Sequence, residues 1–175
     1  MFCKKGFTLI EVVIVTLIIA ALALLVAPSF KNSTITNQME KAKIGLVELV
    51  TAVKLYNEVN SIHLSGNFNQ AMFDALSIED GNQGYTYLQN ATGRWGQRTA
   101  GEYSLIDGTA TNGILNCRYS IGDTSNSSIL AYTKCKFDRI DEEGSECYKF
   151  YIENANPAVI KKVRYEDNTN ECNDL

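Results

Sequence analysis

Apolar and polar positions divide the 175-residue chain into three regimes. From Phe7 to Phe30, 24 consecutive residues include one ionisable side chain, Glu11, and no glycine. As a helix this run is about 36 Å long at ~1.5 Å per residue, more than the ~30 Å hydrocarbon core of a bilayer. Residues 7–30 are therefore predicted as a transmembrane or assembly helix. Beyond it, Ile35, Met39, Ala42, Leu46, Leu49, Val53 and Tyr56 recur at alternating steps of four and three, which predicts an amphipathic continuation over residues 31–60. Lys41, Glu48, Lys54 and Glu58 lie mainly off that stripe. Pro28 removes one backbone donor and crowds the carbonyl of Leu24, so a kink is expected there in a helix of about 50 residues. With only about three heptads, the stripe is expected to pack on the rest of the chain rather than in a coiled coil.

The third regime, residues 61–175, reads as a globular α+β head. Asn67 followed by Gln70 resembles a capping box opening a short helix, with Phe68, Met72, Ala75 and Leu76 inward. Ten of the twelve glycines lie from Gly66 to Gly144 and punctuate strand-like runs at Tyr85–Leu88, Glu102–Ile106, Ile114–Ile121, Ile129–Phe137 and Cys147–Ile152. Turns rather than helices separate these runs, so the sheet is expected to be antiparallel, with a hairpin across Ser120–Ser128. Val159–Tyr165, after Pro157, is either an edge strand or a disulfide-bounded loop.

Composition narrows the function. The net charge is −4, from 16 Lys and Arg against 20 Asp and Glu, which makes nucleic acid no default partner. One histidine, His63, and no CxxC leave little material for a nucleophilic triad or a zinc site. No catalytic, cofactor or metal residue is assigned, and an enzyme is disfavoured. The acidic run Asp138, Asp141, Glu142, Glu143 and Glu146 lacks an alternating ligand register, so a solvated turn is expected there rather than a calcium loop. Lys161, Lys162, Arg164 and Tyr165 read as a solvated strand, and Trp95 as an anchor of the head's core.

The apolar run is no ordinary signal peptide, despite Ala21-Leu22-Ala23 as a small-x-small site, because an acid within the run costs free energy that something should recover. Lys4-Lys5-Gly6-Phe7-Thr8-Leu9-Ile10-Glu11 resembles the class III signal of type IV pilins and pseudopilins: a basic leader ending in glycine, then Phe-Thr-Leu-Ile-Glu opening a long apolar helix. Pro28 stands where many pilins carry a kinking proline. The resemblance implies a leader over residues 1–6, cleavage by a prepilin peptidase between Gly6 and Phe7, and N-methylation of Phe7. It further implies assembly with other pilin subunits on an inner-membrane platform, the head lying in the periplasm before a pilus or pseudopilus forms. Cleavage turns the uncharged amide of Phe7 into a cation, and Glu11 of one subunit is then expected to meet that cation on a neighbour, Thr8 adding a hydroxyl.

Lysines flank the run on both sides, so charge does not settle orientation, but cysteine does better. Cys3 leaves with the leader, and Cys117, Cys135, Cys147 and Cys172 remain, all in the distal head. Two disulfides and an oxidising compartment are expected. Cys117–Cys135 with Cys147–Cys172 is one pairing, and Cys135–Cys147, across a hairpin at Glu142-Glu143-Gly144, stays open. The function expected is a pilus subunit. The alternatives are a type II secretion pseudopilin and, from a different class, a monomeric membrane-anchored or secreted envelope binding protein.

Overall fold

A computed structural model describes residues 8–77, 86–88, 91–99, 101–108, 110, 113–122, 126–138 and 145–165, without the side chains of residues 23–33, 91, 92, 99 and 138. The chain divides into two compact units, one ending at Thr36 and one beginning at Asn37. Helix α1 (Leu9–Asn60, 52 residues) belongs to both, and its backbone stays helical through Pro28.

In the first unit the apolar side chains of α1 are uncovered, from Leu9 at 84% exposure to Leu22 at 55%. Among the described residues no helix is long and apolar enough to cross a membrane. The backbone is helical through Pro28, where a kink was expected, and only the side chains of residues 23–33 lie outside the described set.

The second unit is built on a five-stranded antiparallel sheet in the order β1-β4-β5-β6-β7, from β1 (Gly66–Asn67), β4 (Cys117–Ile121), β5 (Ile129–Asp138), β6 (Ser145–Glu153) and β7 (Asn156–Tyr165). A two-stranded ribbon joins β2 (Trp95–Thr99) and β3 (Glu102–Leu105), and two short helices, α2 (Gln70–Ser77) and α3 (Ala91–Arg94), lie between α1 and the ribbon in sequence. Alternation sets the faces. Ile129, Ala131, Thr133, Cys135 and Phe137 of β5 are buried with Tyr119 of β4 and Tyr148, Phe150 and Ile152 of β6.

The amphipathic stretch of α1 covers that inner face. Ala42, Leu46, Leu49 and Val53 are 3% exposed or less, as the heptad-like stripe predicts, with Val50 and Ala52 buried beside them. Gly45 sets the closeness of approach: a Cβ there would stand 2.6 Å from Leu105 Cδ1 and 2.9 Å from Tyr119 Oη. Tyr119 Oη donates to the Ala42 carbonyl at 3.4 Å, and burial pushes its phenol pKa up. Lys41 reaches buried Asp107 at 2.8 Å, and Arg94 reaches Glu48 at 3.0 Å. The helix ends where Ser61 takes a positive φ of 54°, which directs the chain out of the helical path.

Several sequence expectations shift. The short helix is capped by Asn69, whose Oδ1 accepts from Met72 N at 3.0 Å; Asn67 instead pairs with Ser120 in β1–β4. Within Tyr85–Leu88, Thr86 to Leu88 form a bend rather than a strand, and Tyr85 lies outside the described residues. The strand Trp95–Thr99 lies outside the strand-like runs expected from sequence; in it, Gly96 is where Ile114 Cδ1 approaches to 3.0 Å of a would-be Cβ. Val159–Tyr165 is an edge strand, and Pro157 near its start has no ladder donor to lose at an edge. Trp95 is buried, edge-on to Phe68 at 5.0 Å and to Tyr119 at 5.1 Å.

Candidate assembly site at the helix start

Four residues of sequence, Thr8-Leu9-Ile10-Glu11, are enough to start α1. The Thr8 backbone N–H donates to Glu11 Oε2 at 2.8 Å, and the Thr8 hydroxyl donates to the same oxygen at 2.7 Å. In return Glu11 N–H lies 3.1 Å from the Thr8 carbonyl and 3.4 Å from Thr8 Oγ1, and Val12 N–H donates to the Thr8 carbonyl at 3.3 Å. This is a reciprocal capping box, with Thr8 as N-cap and Glu11 three residues inside. The carboxylate occupies the end of the helix where the backbone dipole favours negative charge. Both bonds that Glu11 accepts from Thr8 use Oε2, which leaves Oε1 with acceptor capacity.

The signal for this box is legible in sequence as Thr-x-x-Glu before an apolar run. Sequence reasoning assigned Thr8 and Glu11 an intermolecular role and missed that they first bind each other. Behind the box, Leu9, Ile10, Val12, Val13, Ile14, Val15, Leu17, Ile18 and Ile19 are all exposed and lie around the whole circumference of the helix. Thr16, the only hydroxyl among them, donates to the Val13 carbonyl at 2.9 Å and so offers no polar face. A helix apolar on every side is stable only among other apolar groups. The arrangement is an uncovered apolar surface with one acid at its tip. Gly6 and Phe7 fall outside the described residues.

The cysteines of the head carry the expected oxidised state in part. Cys117 and Cys135 face each other across β4 and β5 and form a disulfide, with Cα atoms 4.1 Å apart. Cys135 is therefore not the partner of Cys147. Cys147, 2% exposed, is also disulfide-bonded; Cys172 lies outside the described residues. Of the acidic run, Glu146 accepts from the Tyr148 hydroxyl and pairs with Arg164 at 3.3 Å, and residues 139–144 lie outside the described set. Among the described residues no group of three or more His, Cys, Asp or Glu could hold a metal ion.

Residues 1–27 match the family model of the prokaryotic N-terminal methylation motif, the prepilin signal of type IV pilins and pseudopilins. No curated protein and no solved structure matches this chain.

Proposed function

We propose that the protein is a structural subunit of a type IV pilus, cut by a prepilin peptidase between Gly6 and Phe7, methylated on Phe7, and polymerised through the helix that begins at residue 7. The observation that carries this reading is the uncovered apolar helix of residues 9–22, closed at its tip by the Thr8–Glu11 box and preceded by the methylation motif. Before assembly the membrane shelters residues 7–30; in the fibre, the same helices of neighbouring subunits do.

Cleavage completes the electrostatics. The Phe7 nitrogen changes from an amide to a cation at the end of an apolar helix, and an acid in such surroundings needs a cation. The capping box holds the carboxylate at the helix tip through Oε2, so Oε1 of one subunit can accept from the Phe7 amine of the next without dismantling the helix start. The head, with its cross-strand disulfide, suits an oxidising compartment outside the inner membrane. Pairing of Cys147 with Cys172 would tie the C-terminal segment to β6.

Mass spectrometry of the mature N-terminus tests the reading. Methylated Phe7 is the expected result; a chain beginning at Met1 would mark a plain anchor, a chain beginning at Leu24 a secreted domain, and either would overturn it.

A further inference from the structure

The sheet ends in a long open strand. β7 stands last in the order β1-β4-β5-β6-β7, and its ten residues make an edge about 33 Å long at ~3.3 Å per residue. The opposite edge, β1, has only two residues. Alternate residues of β7 turn their N–H and C=O groups away from β6, and among the described residues no strand receives them. Edges of this length are ordinarily guarded by lysines reaching outward or by proline within the strand. Pro157 is the second residue of β7 and leaves residues 158–165 with their donors. The cations are drawn back over the sheet instead: Lys161 bonds Glu153 at 2.7 Å, Lys162 Nζ lies 4.0 Å from the centre of the Tyr148 ring, and Arg164 pairs with Glu146 at 3.3 Å. All three partners belong to β6.

Beside this edge α1 leaves apolar side chains uncovered. Val47, Val50, Lys54 and Leu55 of α1 line a groove of about 350 Å³ with Ile152 of β6 and Pro157 of β7. Ile160 of β7 stands opposite Ile152 and so on the face that α1 covers, and it lines an adjoining cleft with Ile44, Val47 and Leu55. A strand laid along β7 would meet both features at once. Its backbone would take up the free N–H and C=O groups, and its alternate side chains would point to the α1 side, into the groove. A helix or a lipid chain would fill the groove and leave the ladder open, so the two features together specify an extended occupant. The β7 strand of a second copy fits poorly, since Lys161, Lys162 and Arg164 of both copies would be brought together.

We propose that the open edge of β7 and the adjoining α1 groove receive an extended segment of another protein by β-strand addition, its apolar side chains at alternate positions facing Val47 and Leu55. Main-chain pairing along β7 supplies affinity, and the groove selects which side chains are accepted. The proposal is independent of how the subunit polymerises.

The experiment is fluorescence anisotropy of a labelled synthetic peptide with the full chain held in lipid nanodiscs, where no free detergent competes for the groove. The peptide is about nine residues long and alternates Val with Thr between terminal Asp residues. Two further peptides carry N-methyl groups on alternate amides, one set on the Val nitrogens and one on the Thr nitrogens. The parent peptide is expected to bind saturably below about 1 mM. One N-methylated peptide is expected to lose binding about tenfold or more and the other to match the parent within about twofold, because only alternate N–H groups of an added strand face β7. Val47→Lys, at an exposed position, is expected to weaken binding about tenfold or more by setting a charge in the apolar groove. Ile106→Thr, exposed just past β3, is the control and is expected to change nothing. The proposal is overturned if the parent peptide shows no saturable binding up to about 1 mM, if the two N-methylated peptides behave alike, or if Ile106→Thr weakens binding as much as Val47→Lys. It is equally overturned if discs carrying one chain each associate and Val47→Lys abolishes that association, since the occupant would then be a second copy.

Discussion

Glu11 carries two tasks that substitution can separate. Glu11→Gln keeps an oxygen for the Thr8 N–H but cannot pair with a cation, whereas Glu11→Ala loses both bonds. If assembly depends on charge, both variants insert normally and both leave few filaments by electron microscopy; normal filament numbers from Glu11→Gln would show that capping was the whole role. Gly45 is a second position where one atom decides. Alanine would add helix propensity of up to ~1 kcal/mol, but its Cβ would stand within 3 Å of Leu105 and Tyr119, both nearly fully buried, so one of them must shift. Overpacking should win, and Gly45→Ala is expected to lower stability by about 1–2 kcal/mol in urea unfolding. At Glu48, burial raises the carboxyl pKa above 4.5 against the opposing pull of Arg94. The folded state then holds the proton more tightly than the unfolded one, so ionised Glu48 is a penalty at neutral pH that is relieved as pH falls through the raised value. Relative to Glu48→Gln, the parent should gain stability on acidification from pH ~7 towards ~4.5, by less than about 1 kcal/mol because the side chain keeps some solvent.

At the scale of elements, strands were easier to read than the pieces around the ribbon. The runs near Ile129 and Cys147 alternate cleanly because one face of the sheet is buried under α1, and β5 and β6 appear where alternation places them. The ribbon was hidden because glycines at 96 and 101, which permit a close approach and a turn, have no apolar side chain to register a period. The cap of α2 was misplaced by two residues because two asparagines, 67 and 69, carry the same chemistry and only the pairing of β1 with β4 claims the first. The disulfide between β4 and β5 closes a sequence separation of 18 residues. Replacing both cysteines by alanine should cost about 3 kcal/mol on the chain-entropy account, measured by urea unfolding of parent and double variant under non-reducing conditions.

Over the whole molecule, the division at Thr36 and Asn37 implies that the head's core does not depend on the apolar run. A chain starting at Asn37 is expected to stay soluble without detergent and to keep the Cys117–Cys135 bond, while the full chain requires detergent; size-exclusion chromatography with non-reducing peptide mapping checks both. The side of α1 in the head that carries Ile44, Val47 and Leu55 is a smaller exposed apolar surface. Sequence alone determined the helix start, the apolar run and the strand periods, because capping and hydrophobic alternation act over a few residues and leave their pattern in the chain. Tertiary structure decided which cysteines meet and why Gly45 must be small. Those outcomes depend on strand register and on the distance between packed surfaces, and both are set by residues far apart in sequence.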